Sequence, residues 1–232
     1  MRASKYCVYC GVLMNRIANH DDGRSVEHMI PQVSVSIVRN NGQGDYHACR
    51  KCNGTKGKID EVLGLLCRMA GDNVQSRNEA KVEYEEKVNK GDYRFITVER
   101  SKTSSPKGWS IKIPLNGRQI YQYGIWLAKG VYFEKTGEIL SNQYLICVEM
   151  VNQEQVNRIK EMHRNKKNSE AFDELSMNLN IPNINGESFI ISTDDAREIF
   201  VCFNRVIMFH LKLLEKNRIN ETLCNKSRRA LY

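Results

Sequence analysis

No stretch of this 232-residue chain is apolar over the ~20 residues that a membrane-spanning helix needs. Leu145 to Val148 and Val206 to Phe209 are typical of its short apolar runs. The first residues, MRASKYCVYCG, lack the apolar centre of a secretory leader. A membrane protein and a signal-exported protein are therefore disfavoured, and a cytoplasmic location is expected. Internal repeats and low-complexity tracts are also missing, which argues against a solenoid. Acidic residues are in short supply, with 27 Asp and Glu against 35 Lys and Arg; the net charge is +8 and the pI about 9.0. Such an excess favours an anionic partner, with nucleic acid the leading class. Hydrophobic residues at 41% and charged residues at 27% allow a packed core. The length suits one large domain or two small ones.

The eight cysteines are Cys7, Cys10, Cys49, Cys52, Cys67, Cys147, Cys202 and Cys224. Without an export signal the thiols should stay reduced, which favours metal binding over disulfides. Four of them form two C-x-x-C pairs, Cys7/Cys10 and Cys49/Cys52, with 38 residues between the pairs. Each pair turns both sulfurs towards one point, and two pairs make the tetrahedral thiolate cage that suits Zn²⁺. A closed set of four thiolates leaves no open coordination position, so such a zinc is structural. It ties the N-terminus to residue 50 and supplies folding energy that a short polar segment lacks. The competing reading is a pair of redox dithiols or four buried thiols. The other four cysteines sit in apolar segments and read as small core residues.

Residues 1–60 are rich in Cys, Gly and polar residues. Val26 to Ile30 predicts a short strand stopped by Pro31, Val33 to Val38 a second strand or short helix, and Asn40 to Asp45 a loop. Ile59 to Met69 has helical apolar spacing and Ser76 to Lys90 reads as a solvated helix. Tyr93 to Arg100 and Trp109 to Leu115 are predicted strands, the second at an edge because of Pro114. Ile120 to Val131 is open between helix and strand. Gln143 to Val151 predicts a strand, Gln153 to His163 a helix, and Phe189 to Ser192 a strand. A last helix, capped by Thr193 with Asp194 and Asp195 in its first turn, is predicted to run to about Lys216. Its apolar stripe is Ile199, Cys202, Phe203, Val206, Phe209 and Leu213.

Between the cysteine pairs lies Val26-Glu27-His28-Met29-Ile30-Pro31, and Asn53 directly follows Cys52. If the zinc draws these segments together, a carboxylate, an imidazole and an amide oxygen meet near one point. Phosphodiester hydrolysis needs an activated water, positive charge on the phosphate oxygens and a positioned backbone. His28, as a neutral imidazole, can take a proton near neutral pH. Glu27 and Asn53 offer hard oxygen donors of the kind that suit Mg²⁺ or Mn²⁺. Lys56 and Lys58, near the start of the next helix, with Arg50 and Lys51, are candidate DNA contacts. Neighbouring strand residues point to opposite faces, so Glu27 and His28 share a site only if the strand ends or bulges there.

These residues carry a resemblance over about positions 5–62. The motifs C-V-Y-C-G, E-H-M-I-P and A-C-R-K-C-N-x-x-K-G resemble the HNH endonuclease family, the ββα-metal nucleases with a Cys₄ zinc. The resemblance implies that His28 is the general base and that Glu27, where Asp is more usual, and Asn53 hold the catalytic cation. It also implies a cut leaving 5′-phosphate and 3′-hydroxyl ends. The family's middle Asn falls here at Gly44, followed by Asp45. Asp45 would substitute by shaping the loop that orients His28, or Asn41 would serve from further back. His47 reads either as a phosphate contact or as a strand histidine near the zinc. His20 reads as solvated, while His163 and His210 fall in predicted helices with no ligand set nearby.

The expected architecture is α+β. A zinc-stabilised ββα-metal module covers 1–62, a helical connection 63–92, and a mixed α+β domain 93–232 for substrate selection, partner binding or dimerisation. Arg164, Lys166 and Lys167, and Lys226, Arg228 and Arg229, form basic clusters suited to a DNA backbone or to solvent. The expected function is metal-dependent cleavage of DNA. The alternative is an inactive zinc-knuckle module that binds nucleic acid or a protein.

Overall fold

The computed structural model describes residues 4–17, 19–35, 45–106, 108–152 and 188–217. The expected helix at 153–163, both basic clusters, and Asn41, Gly44, His163 and Cys224 lie outside the described residues. Within them the fold is mixed α+β, with helices and antiparallel sheets.

The N-terminal segment turns through Cys7 to Val12, where the Cys7 amide donates to the Val12 carbonyl and the Gly11 amide to the Cys7 carbonyl, both at 2.8 Å. Gly11 has φ +76°, a left-handed backbone that glycine adopts without a Cβ penalty. Strand β1 (Arg24–Glu27) then pairs antiparallel with β2 (Tyr46–Cys49), with Arg24 opposite Cys49 and Glu27 opposite Tyr46. β1 is shorter than Val26 to Ile30 and stops before His28. The segment expected as a strand or short helix from Val33 opens as a 3-10 turn, Gln32–Ser34. Helix α1 (Arg50–Ala70) starts directly after Cys49, earlier than the apolar spacing showed, so Cys52, Asn53 and Lys56 all lie in its first two turns.

Helix α2 (Val74–Asn89) is capped by the Asn73 side chain, which accepts from the Ser76 amide. It packs on α1 through Ala80 and Tyr84 against Val62, Leu65 and Leu66. Arg68 bonds Ser76 at 3.2 Å and pairs with Glu83 at 3.0 Å. Tyr93 to Arg100 is not a strand but helix α3, capped by the Asp92 side chain. The buried residues Phe95 and Val98 are three apart, while Tyr93 and Thr97 face solvent, which is a helical and not an alternating pattern. A small hairpin follows, β3 (Thr103–Ser105) with β4 (Gly108–Ser110), so the second predicted strand ends well before Leu115. Helix α4 (Gly117–Thr136) resolves the ambiguous segment; Asn116 and Gln119 form a capping box and Gly137 ends it at φ +77°.

The last element is a four-stranded antiparallel sheet in the order β5 (Tyr144–Asn152), β8 (Ile207–Glu215), β7 (Glu198–Phe203), β6 (Phe189–Ser192). The predicted helix from Thr193 is thus a hairpin. Asn204 and Arg205, at φ +48° and +58°, turn the chain in the conformation that tight hairpins require. One face of the sheet, with Ile199, Val201, Phe203, Phe209, Leu211 and Leu213, meets α4 in a core cluster. The same cluster includes Cys7, Tyr9, Tyr46, Ile59 and Leu63, so residues of 1–62 and of 93–232 share it.

Candidate metal centre

Cys7 and Cys10 on the N-terminal turn, Cys49 at the end of β2 and Cys52 in the first turn of α1 bring their four sulfurs within 4.8 Å of one another. The Cys10 and Cys49 sulfurs are 3.8 Å apart. A tetrahedron with ~2.3 Å metal–sulfur bonds has edges of ~3.8 Å, so the donor set fits a structural zinc. The Cys52 thiol and the amides of Cys49, Cys10 and Tyr9 hydrogen-bond the Cys7 sulfur and hold its pKa at about 4 despite burial. Burial instead pushes Cys49 up to about 11. Cys52, donating to Cys7, lies well above the ordinary thiol range. The thiolate is the form that binds metal.

Beside the cluster, Asn53 ties α1 to the hairpin. Asn53 Nδ2 donates to Val26 O at 2.7 Å and to Ser25 Oγ at 3.0 Å. Ser25 Oγ donates in turn to Ala48 O across the hairpin at 2.9 Å. Asn53 is partly exposed, and its Oδ1 accepts no hydrogen bond among the described residues. One residue beyond β1, His28 is half-buried. Asp45 brackets it: the Asp45 amide donates to Glu27 O at 2.9 Å, and Asp45 Oδ2 accepts from the Met29 amide at 2.8 Å. His47, opposite Val26, is buried, and its Nδ1 lies 2.9 Å from a guanidinium nitrogen of Arg24. Arg16, Arg24 and His47 together line a shallow recess with Ser25 and Val26. Composition shows the basic excess but not this grouping, which needs the strand register.

Two expected roles do not fit this geometry. Lys56, read as a phosphate contact, is fully buried and meets no solvent. Its ammonium lies 2.8 Å from Glu27 Oε1 and 3.0 Å from Asp60 Oδ2, and donates to His28 O at 3.4 Å. The cause is helical spacing, since Lys56 and Asp60 are four apart on the face of α1 that packs on the hairpin. Glu27, read as a cation ligand, is likewise buried and turned into that network. Strand alternation puts Ser25 and Glu27 on the face towards α1. Burial pushes the Glu27 carboxyl up to about 7, while Lys56 opposes the rise and Asp60 adds to it. Burial works against the Lys56 charge, but Asp60 and Glu27 outweigh it and hold its pKa above the ordinary range.

Comparisons with family models, with curated proteins and with solved structures return no match.

The ionic network continues to α4. The Tyr123 hydroxyl donates to Asp60 Oδ1 at 2.6 Å, and the Lys56 ammonium lies 5.4 Å from the Tyr123 ring centre. Tyr9 and Tyr46 share a hydrogen bond of 2.8 Å, and Tyr9 also bonds Glu27. Burial drives all three phenols well above their usual pKa, so they stay neutral. Of the other expected contacts, Arg50, Lys51 and Lys58 are exposed. Arg50 and Lys51 stand at the positive end of α1 beside Asn53.

Proposed function

We propose that this protein hydrolyses phosphodiester bonds in DNA, with His28 as general base, as a member of the HNH class. The supporting observation is the clamp at Asn53. Asn53, next in the chain after the last cysteine of the four-thiol cluster, donates from α1 to the strand two residues before His28. His28 follows the strand that Asn53 binds, and Arg50 and Lys51 stand exposed beside Asn53 at the N-terminus of α1. In this reading the α1 N-terminus and the two cations hold the phosphate. His28 takes the proton of a water that attacks phosphorus, and the P–O bond to the 3′-oxygen breaks. That oxygen leaves as the 3′-hydroxyl after protonation by solvent.

Zinc belongs to the four cysteines and supplies rigidity, not a reacting group. The cation pair expected of Glu27 and Asn53 does not fit: the carboxylate already holds an ammonium at 2.8 Å. We therefore assign no step to Mg²⁺ or Mn²⁺. A second reading draws on the same observation. With Glu27 committed to Lys56, the module binds nucleic acid or a protein partner without turnover.

A nicking assay on supercoiled plasmid, with and without added Mg²⁺ or Mn²⁺, separates the two. Cleavage that His28→Ala lowers by about a hundredfold or more, with zinc content and unfolding temperature retained, supports hydrolysis. Plasmid binding with no cleavage under any condition selects the binding module. Undiminished cleavage by the variant removes His28 from the reaction.

A further inference from the structure

Away from His28, a cleft of about 730 Å³ opens where the α2–α3 turn, the N-terminus of α4 and one flank of α1 meet. That volume falls in the ~300–1,000 Å³ range of small-molecule sites. The α1 residues that line it, Thr55, Lys58 and Ile59, lie well round the helix from Asn53. The cleft adjoins Lys51, one turn before Thr55, but opens on the far side of α1 from Asn53.

The chemistry of its walls is graded. Arg118, Gln122 and Trp126 line the cleft at intervals of four and so share one face of α4. Arg118 is exposed, Gln122 half-buried and Trp126 buried, which orders guanidinium, amide and indole from mouth to floor. Neither Arg118 nor Gln122 has a side-chain partner among the described residues, and the same is true of Lys58. The remaining charges are spoken for. Arg94 pairs with Asp92 at 2.6 Å and with Glu61 at 2.5 Å, and Lys90 pairs with Glu86 at 3.0 Å. The cleft thus keeps two uncommitted cations, Lys58 and Arg118, and no uncommitted carboxylate. The helix α4 N-terminus adds its partial positive charge, and the capping box already fixes the backbone there. Tyr93, largely exposed, flanks the opening.

An anion alone would use only the mouth of such a cleft, and an apolar ligand would leave its cations unmatched. A ligand with an anionic end, a hydrogen-bonding edge and a flat aromatic body uses all three levels. We propose that the cleft binds a phosphorylated nucleoside, with phosphate between Lys58, Arg118 and the α4 N-terminus, and with the base against Trp126 beside the Gln122 amide. The proposal does not rest on the cleavage reading and holds whether or not the protein cuts DNA. The nucleotide comes either free or as one unit of a single strand.

The test uses the full chain with Trp109→Phe, which leaves Trp126 as the sole tryptophan. Its fluorescence is titrated with adenosine monophosphate, with a short single-stranded oligonucleotide and with inorganic phosphate, without added divalent cation. Saturable quenching by the nucleotide identifies the free form, and quenching by the oligonucleotide alone identifies a strand. In either case Arg118→Gln and Lys58→Gln should each weaken binding by about tenfold, the loss expected of one charged hydrogen bond. Both residues are exposed and unpaired, so neither change threatens folding. The proposal fails if neither nucleotide nor oligonucleotide quenches, if both variants bind as the parent does, or if inorganic phosphate competes as well as the nucleotide. Because binding is read directly, an absence of plasmid cleavage has no bearing on the result.

Discussion

Lys56 shows at the scale of one residue why a motif and its geometry differ. In the sequence it sits in a run of polar and basic residues after the last cysteine, and nothing in composition marks it as interior. The deciding fact is the pairing of β1 with α1, which places Glu27 over Lys56 and Asp60. Two carboxylates then share one ammonium in a site closed to water. Removing the ammonium leaves both without compensation, so Lys56→Met should cost about 3–5 kcal/mol at pH 8, measured by urea unfolding. Had Lys56 been a surface contact, the cost would be near zero. Glu27 makes the network pH-dependent. Its folded pKa of about 7 exceeds its ordinary value of 4.5, so the folded state binds the extra proton between those values. Stability is therefore lost as pH rises through that window. From pH 5 to pH 8 the parent should lose on the order of 2 kcal/mol relative to Glu27→Gln, which cannot titrate. Parallel slopes for the two proteins would show that Glu27 keeps an ordinary carboxylate pKa. The four cysteines, by contrast, were legible from spacing alone, because two short C-x-x-C turns need only one contact between them.

At the scale of elements, apolar spacing alone does not separate a helix from a buried hairpin. Apolar residues three or four apart satisfy a helix, but a hairpin whose both faces are covered shows them too. Cys202 and Met208 are buried on one face of the β7–β8 pair, and Val201, Phe203 and Phe209 on the other. The Asn204-Arg205 turn lacks the glycine that would have announced it. The opposite error occurred at Tyr93 to Arg100, where aromatic and β-branched residues suggested a strand but Asp92 caps a helix. Helix α1 carries an element-scale prediction. Gly54 and Gly57 lie in its interior, and a Cβ at either would meet nothing within 4 Å. Packing therefore does not require them, and each costs helix stability relative to alanine. Gly54→Ala and Gly57→Ala should each stabilise the protein by roughly 0.8–1 kcal/mol, a rise of about 2–4 °C in unfolding temperature. If DNA rests on this face beside Arg50, the double variant will bind it more weakly even as it melts later. Thermal unfolding and a binding titration on one preparation check both signs.

At the scale of the whole molecule, the metal centre and the C-terminal half are coupled by helix α4. Lys129 donates to the Tyr9 carbonyl within the first knuckle at 2.5 Å, and Trp126 packs on the Tyr9 ring with centroids 5.8 Å apart. At Gly130 a Cβ would collide with the Tyr46 hydroxyl, so α4 sits against β2 as closely as a helix can. None of this was legible in the sequence, because residues some 120 apart reveal their contact only once both partners are folded. The consequence is that zinc should stabilise more than the segment that binds it. Chelation would release Cys7 and Cys10 from Cys49 and Cys52, and the Tyr9 knuckle would no longer hold its place against Trp126. The expected result is one zinc per chain by elemental analysis. Its removal should lower the unfolding temperature by more than 10 °C, since structural zinc contributes on the order of 10 kcal/mol to such sites. A red shift in Trp126 emission, in the Trp109→Phe background, should accompany the loss of metal and reverse when zinc is restored. An unfolding temperature and emission unchanged by chelation would mean that the four thiols are not a metal site and that the core alone holds α1 against the hairpin.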